Sequence, residues 1–194
     1  MFGEVPVLPV VVPLAVVMLL THLWILRRRG LLSVPRSAIA VVLCVYAGGI
    51  VANTVFPIYL DAPPSDRRWR DYLVINPLEH YEVADAAMNV LVFVPVGLLV
   101  PLILRRASWW RVIVVSGGLS LTIEATQLAT ATTLGGGHVA DVHDLLSNIA
   151  GGALGYGILS LLLRSPAAVA LIEPFRWRRS HDSVDSQEAP RRAF

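Results

Sequence analysis

The chain has 194 residues, of which 55% are hydrophobic and only 15% charged, with a formal net charge of +2. Its mean hydropathy of +0.64 lies above that of ordinary soluble domains. These values exclude a soluble globular domain and a disordered chain. The small net charge argues against a nucleic-acid partner, and the single cysteine, Cys44, excludes an intrachain disulfide.

A hydrocarbon core of roughly 30 Å needs about 20 consecutive apolar residues to cross it as a helix. The sequence predicts five such spans, at 5–26, 37–60, 86–104, 112–130 and 144–163. The fold class expected is therefore all-α, a polytopic helical bundle in the membrane. The first span has no basic residue before it, a long apolar run and no small-residue cleavage pattern ahead of Arg27, so it reads as an uncleaved anchor.

The connections orient the spans. All sixteen basic residues are arginines, and every one except Arg67, Arg68 and Arg70 falls between spans one and two, between three and four, or after span five. Cytoplasmic loops are enriched in basic residues, so the N-terminus is expected outside and the C-terminus inside. Residues 1–60 then form two N-terminal spans, and 61–85 an extracytoplasmic loop opened by the turn Ala62-Pro63-Pro64-Ser65. Residues 164–194 form a cytoplasmic part, with an amphipathic interfacial segment at 166–179 and a disordered polar tail from Ser180. Trp109 and Trp110 suit a membrane-interface anchor.

Polar residues within the last three spans carry the functional signal. A carboxylate at the centre of a spanning helix costs roughly 2.5–3.5 kcal/mol on insertion scales, and such groups face a protein interior or a water-filled cavity. At a rise of about 1.5 Å per residue, Asn89, Glu124 and Asn148 all lie roughly 5–10 Å below the outer ends of their spans. Helical spacing groups the residues into stripes: Glu82, Asp85 and Asn89; Asn89, Phe93 and Gly97; Glu124 and Gln127; Asp141, Asp144 and Asn148. Each stripe is expected to face one shared cavity. Gly97, Gly117, Gly118, Gly151, Gly152 and Gly155 suit close approach of helix backbones. Pro95 removes a helical hydrogen bond to the carbonyl of Leu91 and predicts a kink there.

Several chemistries compete for these residues. Asn89 and Asn148 serve equally well as interhelical hydrogen-bond glue, worth about 0.6 kcal/mol apiece. Glu124 is a costlier group than such glue needs and points to a functional role. His138, Asp141, His143 and Asp144 are metal-ligating types, but they lack a diagnostic helix pair, and Asp141 or Asp144 suits a helix N-cap. No metal and no cofactor are expected. Ser116 and Ser120 have neither a base nor a nucleophile elbow, so no catalytic residue is identified.

The stretch from Asn89 through Phe93 and Pro95 to Gly97, then Glu124-Ala-Thr-Gln127, then His138 through Asp141, Asp144 and Asn148 to Gly151, resembles the VanZ-like membrane protein family. Asn76-Pro77 resembles the family's entry to this region, and the resemblance covers about 75–163, with three spans. The family pattern usually carries an arginine three residues before the first of the two aspartates, where this chain has His138. An arginine stays charged at physiological pH, whereas an ordinary histidine is mostly neutral at pH 7. The family's founding member is associated with resistance to the glycopeptide antibiotic teicoplanin, which the resemblance carries over as an expectation. The favoured function is a non-enzymatic protein of the cell envelope and cell membrane, binding a lipophilic or lipid-linked ligand at an extracytoplasmic polar pocket. The alternatives are an enzyme on a lipid-linked envelope substrate, with Glu124 and Asp141 or Asp144 as acid and base, and a small carrier. Membrane lipids are the expected partners, nucleic acid is not, and the oligomeric state is open.

Overall fold

The computed structural model describes residues 3–60, 68–74, 82–104, 106–133 and 139–178. Five helices among them are long and apolar enough to cross a membrane: α1 (Val7–Arg28), α2 (Val34–Val55), α3 (Val83–Ile103), α4 (Trp109–Thr133) and α5 (Val142–Leu162). The protein is an all-α, multi-pass membrane bundle. Two short strands, β1 (Leu73–Val74) and β2 (Ala140–Asp141), pair in parallel, with Leu73 opposite Ala140 and Val74 opposite Asp141. A short helix of seven residues, α6 (Pro166–Ile172), follows α5.

Local sequence sets the helix ends. α1 stops where Gly30 takes φ 65°. The Leu31 amide then bonds to the Leu26 carbonyl and the Gly30 amide to that of Arg27, a Schellman closure that suits glycine. α2 was expected to reach residue 60 but ends at Val55. Pro57 follows, and the residue before a proline is pushed out of the helical region; Phe56 is accordingly extended at φ −102°, ψ 151°. α3 remains one helix through both Pro95 and Pro101.

The tightest packing joins α3 to α5. A Cβ built on Gly97 would overlap the Gly152 carbonyl and the Tyr156 amide; on Gly151 it would overlap the Val90 carbonyl, and on Gly155 the Val94 carbonyl. Backbone therefore lies directly on backbone. Not all glycines expected at such contacts are there. At Gly118 an added Cβ meets nothing within 4 Å, and at Gly117 it makes an ordinary contact with Ile149 at 3.5 Å. α4 covers α5, and α1 pairs with α2, where Gly48 faces Val11 and Cys44 is buried. The contact of α2 with the three-helix unit runs mainly to α4, and it makes little contact with α3. The outward faces of the helices expose Val12, Val16, Leu20, Leu91, Leu121 and Leu161, as a lipid-facing surface would.

The two ends of the bundle differ. One end gathers the residues around β1 and β2, together with the bridge between Glu4 and Tyr59. At the other, Leu26, Leu31 and Ala40 form a small buried cluster against which Leu19, Leu23 and Trp177 pack. α6 buries no residue, while residues 173–178 fold back. The Trp177 amide donates to the Leu102 carbonyl, and the Arg36 guanidinium donates to the carbonyls of Leu31, Arg176 and Arg178. Residues 179–194, with the expected polar tail, lie outside the described residues.

Candidate functional site

At the end opposite Trp177, a cavity of about 380 Å³ opens between α2, α3, α4 and α5. Its polar lining comes from Asn53 and Thr54 on α2, Asn89 on α3, Glu124 and Gln127 on α4, and Asp144 and Asn148 on α5. A neighbouring recess of about 280 Å³ shares Asn53, Asn89, Gln127 and Asp144 and adds Glu82, Asp85, Asp141 and His143. A wider groove of about 880 Å³ at the arginine end is walled mostly by apolar side chains, including Leu23, Trp24, Val34 and Val41. It carries no comparable polar set.

The N-terminus of α5 organises the site. Asp141 is extended at φ −126° and ends β2; its Oδ1 accepts from the His143 amide at 2.8 Å, so Asp141 is the N-cap. Its own amide donates to Glu124 Oε2 at 2.9 Å. The β1–β2 pairing pins this strand just before the helix begins. Glu124 is 7% exposed and is thus tied to the loop that enters α5. One turn further, Asn89 Nδ2 donates to Asp144 Oδ1 and joins α3 to α5. Deeper still, Asn148 Nδ2 donates to Ser120 Oγ at 2.9 Å, joining α5 to α4. Each helix of the three-helix unit is thus linked to another through a polar side chain that lines the cavity or lies just behind it.

The expected residues distribute as follows. Asn89, Glu124, Gln127, Asp144 and Asn148 come together on the inner cavity, and Phe93 and Pro95 form part of its wall. Asp141 stands on the adjoining recess, with its carboxylate engaged as a cap. Gly97, Gly151 and Gly155 lie in the α3–α5 seam. His138 falls outside the described residues. Among the described residues no group of three or more His, Cys, Asp or Glu is arranged to hold a metal ion.

Two contributors were missed. Ser120 was considered only as a nucleophile, yet it is the hydrogen-bond partner of Asn148 and fully buried. Ser116, Ser120, Glu124 and Gln127 fall at i, i+4, i+8 and i+11, one continuous stripe, which was a readable signal. The second is α2, which supplies Asn53 and Thr54 and whose Tyr46 hydroxyl donates to the Val92 carbonyl at 2.8 Å. Asn53-Thr54 was a polar pair near the end of an apolar span.

Fold and cavity together define an integral membrane bundle with a carboxylate- and amide-lined pocket at one end. The family model described as VanZ/LLP1 matches residues 14–163, and the chain belongs to this family. The match reaches well upstream of the motifs beginning near residue 75 and takes in all of α2, the helix that closes one side of the cavity. No curated protein and no solved structure matches the chain.

Proposed function

We propose that this VanZ/LLP1 family protein resides in the cell membrane and binds a lipophilic or lipid-linked envelope ligand in the cavity around Glu124, Asp144 and Asn148. The observation that carries the reading is a cavity lined by both polar and apolar side chains inside a membrane bundle, a combination that suits an amphiphile. The arginine distribution supports placing this end outside: Arg27, Arg28, Arg29, Arg36, Arg111 and Arg164 all belong to the opposite end. An acid–base enzyme with Glu124 and Asp141 or Asp144 is less favoured, because the Asp141 carboxylate caps α5 and Asp144 and Glu124 each accept a hydrogen bond that holds the bundle together.

The family connection makes glycopeptide resistance the phenotype to examine. Deleting the gene, or replacing it with Glu124→Gln, is expected to change sensitivity to teicoplanin-type lipoglycopeptides or the lipid composition of the envelope. Unchanged sensitivity and composition in both strains would end this reading.

A further inference from the structure

The hydrogen-bonding inventory of the cavity is lopsided. Three donor atoms that reach it each make one bond, Asn89 Nδ2 to Asp144, Asn148 Nδ2 to Ser120 and the Asp141 amide to Glu124, and each amide nitrogen of the two asparagines keeps a second N–H. The buried side-chain atoms of its lining that are left without a partner are both amide oxygens. Asn148 is 3% exposed, and its Oδ1 is buried without a partner; the buried Oε1 of Gln127 is in the same position. Glu124 and Asp144 each accept one of these bonds, while a carboxylate offers about four acceptor sites. Glu82, Asp85 and Asp141 add three more carboxyl groups at the adjoining recess. No arginine is among the described residues lining either space, and the chain has no lysine.

This inventory discriminates between headgroups. A phosphate brings acceptors and negative charge to a site already rich in both. A sugar hydroxyl brings one donor but also acceptors of its own. A primary ammonium brings three donors, no acceptor and a positive charge, and so complements the unpartnered oxygens and the carboxylates together.

On one side the cavity is lined by exposed residues of α2 and α3, which the Tyr46 hydroxyl joins through its bond to the Val92 carbonyl. α2 and α3 make little contact along it. Gly49, Val92 and Pro95 line it there, Val92 is 42% exposed, and a Cβ on Gly49 would meet nothing within 4 Å. An alkyl chain leaving by this route passes directly to the lipid-facing surface.

We infer that the cavity takes the primary ammonium headgroup of an amphiphile, held by Asp144, Glu124, Gln127 and Asn148, with its alkyl chain leaving between α2 and α3 past Gly49. This rests on the ligand-binding reading of the same site. The test uses the full chain in lipid nanodiscs and native mass spectrometry, with tetradecylamine, N-acetyl tetradecylamine, tetradecyl phosphate and tetradecyl glucoside as probes. Tetradecylamine is expected to be retained at least about tenfold more strongly than the other three, as the loss of a charge-assisted hydrogen bond implies. Asp144→Asn, nearly isosteric, should remove about tenfold of that retention with an unchanged unfolding temperature. Gly49→Leu should weaken tetradecylamine but not butylamine, whose chain is too short to pass Gly49. Equal or better retention of the phosphate or glucoside overturns the ammonium assignment and leaves the ligand-binding reading in place. Retention of no probe above the Asp144→Asn background overturns both.

Discussion

The seam between α3 and α5 and the gap between α3 and α2 are built in opposite ways on two sides of one helix. In the first, Gly97, Gly151 and Gly155 bring backbone onto backbone, and no added Cβ fits. In the second, Gly49 faces open space, and the joint depends on α4 and on one hydrogen bond from Tyr46 to Val92. Both places hold glycine in an apolar helix, yet one glycine closes a joint and the other leaves one open. In a membrane, where lipid is as apolar as leucine, close van der Waals packing rather than hydrophobic burial decides which helices stay together. The tight seam therefore forms the scaffold, and the loose one leaves Gly49 and Val92 exposed beside the cavity.

The largest break in this comparison is expected from Gly155→Leu. Its side chain would be driven into the Val94 backbone, and overpacking of this kind costs about 3 kcal/mol or more where backbone cannot move. Monodisperse protein on size exclusion should be largely lost, whereas Gly49→Leu, in open space, should be recovered at the parental level. A smaller effect is expected where polar groups tie the scaffold to the cavity. Glu124→Ala leaves the part-buried Asp141 amide without its acceptor, a loss of about 1–3 kcal/mol in unfolding free energy, while Glu124→Gln keeps an acceptor and should lose less than half as much. Asp141→Ala removes the N-cap of α5 and should cost about 1 kcal/mol, readable as earlier hydrogen exchange in the first turn of α5. The smallest change is Tyr46→Phe at the loose side. Loss of one interhelical hydrogen bond there should cost about 0.6 kcal/mol. Equal destabilisation by Tyr46→Phe and Gly155→Leu would mean that the two sides are not different in kind.

Much of the site was legible before any coordinates. Asn89, Glu124, Gln127, Asp144 and Asn148 stood out because a polar group in an apolar span is costly, and the helical period then aimed them in common directions. Ser120 was misjudged because it was weighed for reactivity rather than for its place on the Glu124 stripe. Asn53 and Thr54 lie near the end of an apolar span upstream of the family motifs, and only the fold brings them to the cavity. The six glycines were indistinguishable in the sequence; only neighbouring backbone separates Gly97, Gly151 and Gly155 from Gly118. That Trp177 packs on the Leu26, Leu31 and Ala40 cluster is likewise a contact between distant parts of the chain.

By itself, then, the sequence determined which segments form long apolar helices and which of their polar residues share a face. Both follow from local physics: a helix in lipid must satisfy its own backbone bonds, and its side chains repeat every 3.6 residues. Which helices touch, which glycines seal a joint, and which acceptors remain open in the cavity were decided only by the tertiary structure. Those properties depend on the distance between atoms far apart in the chain, and a local hydropathy pattern carries no information about that distance.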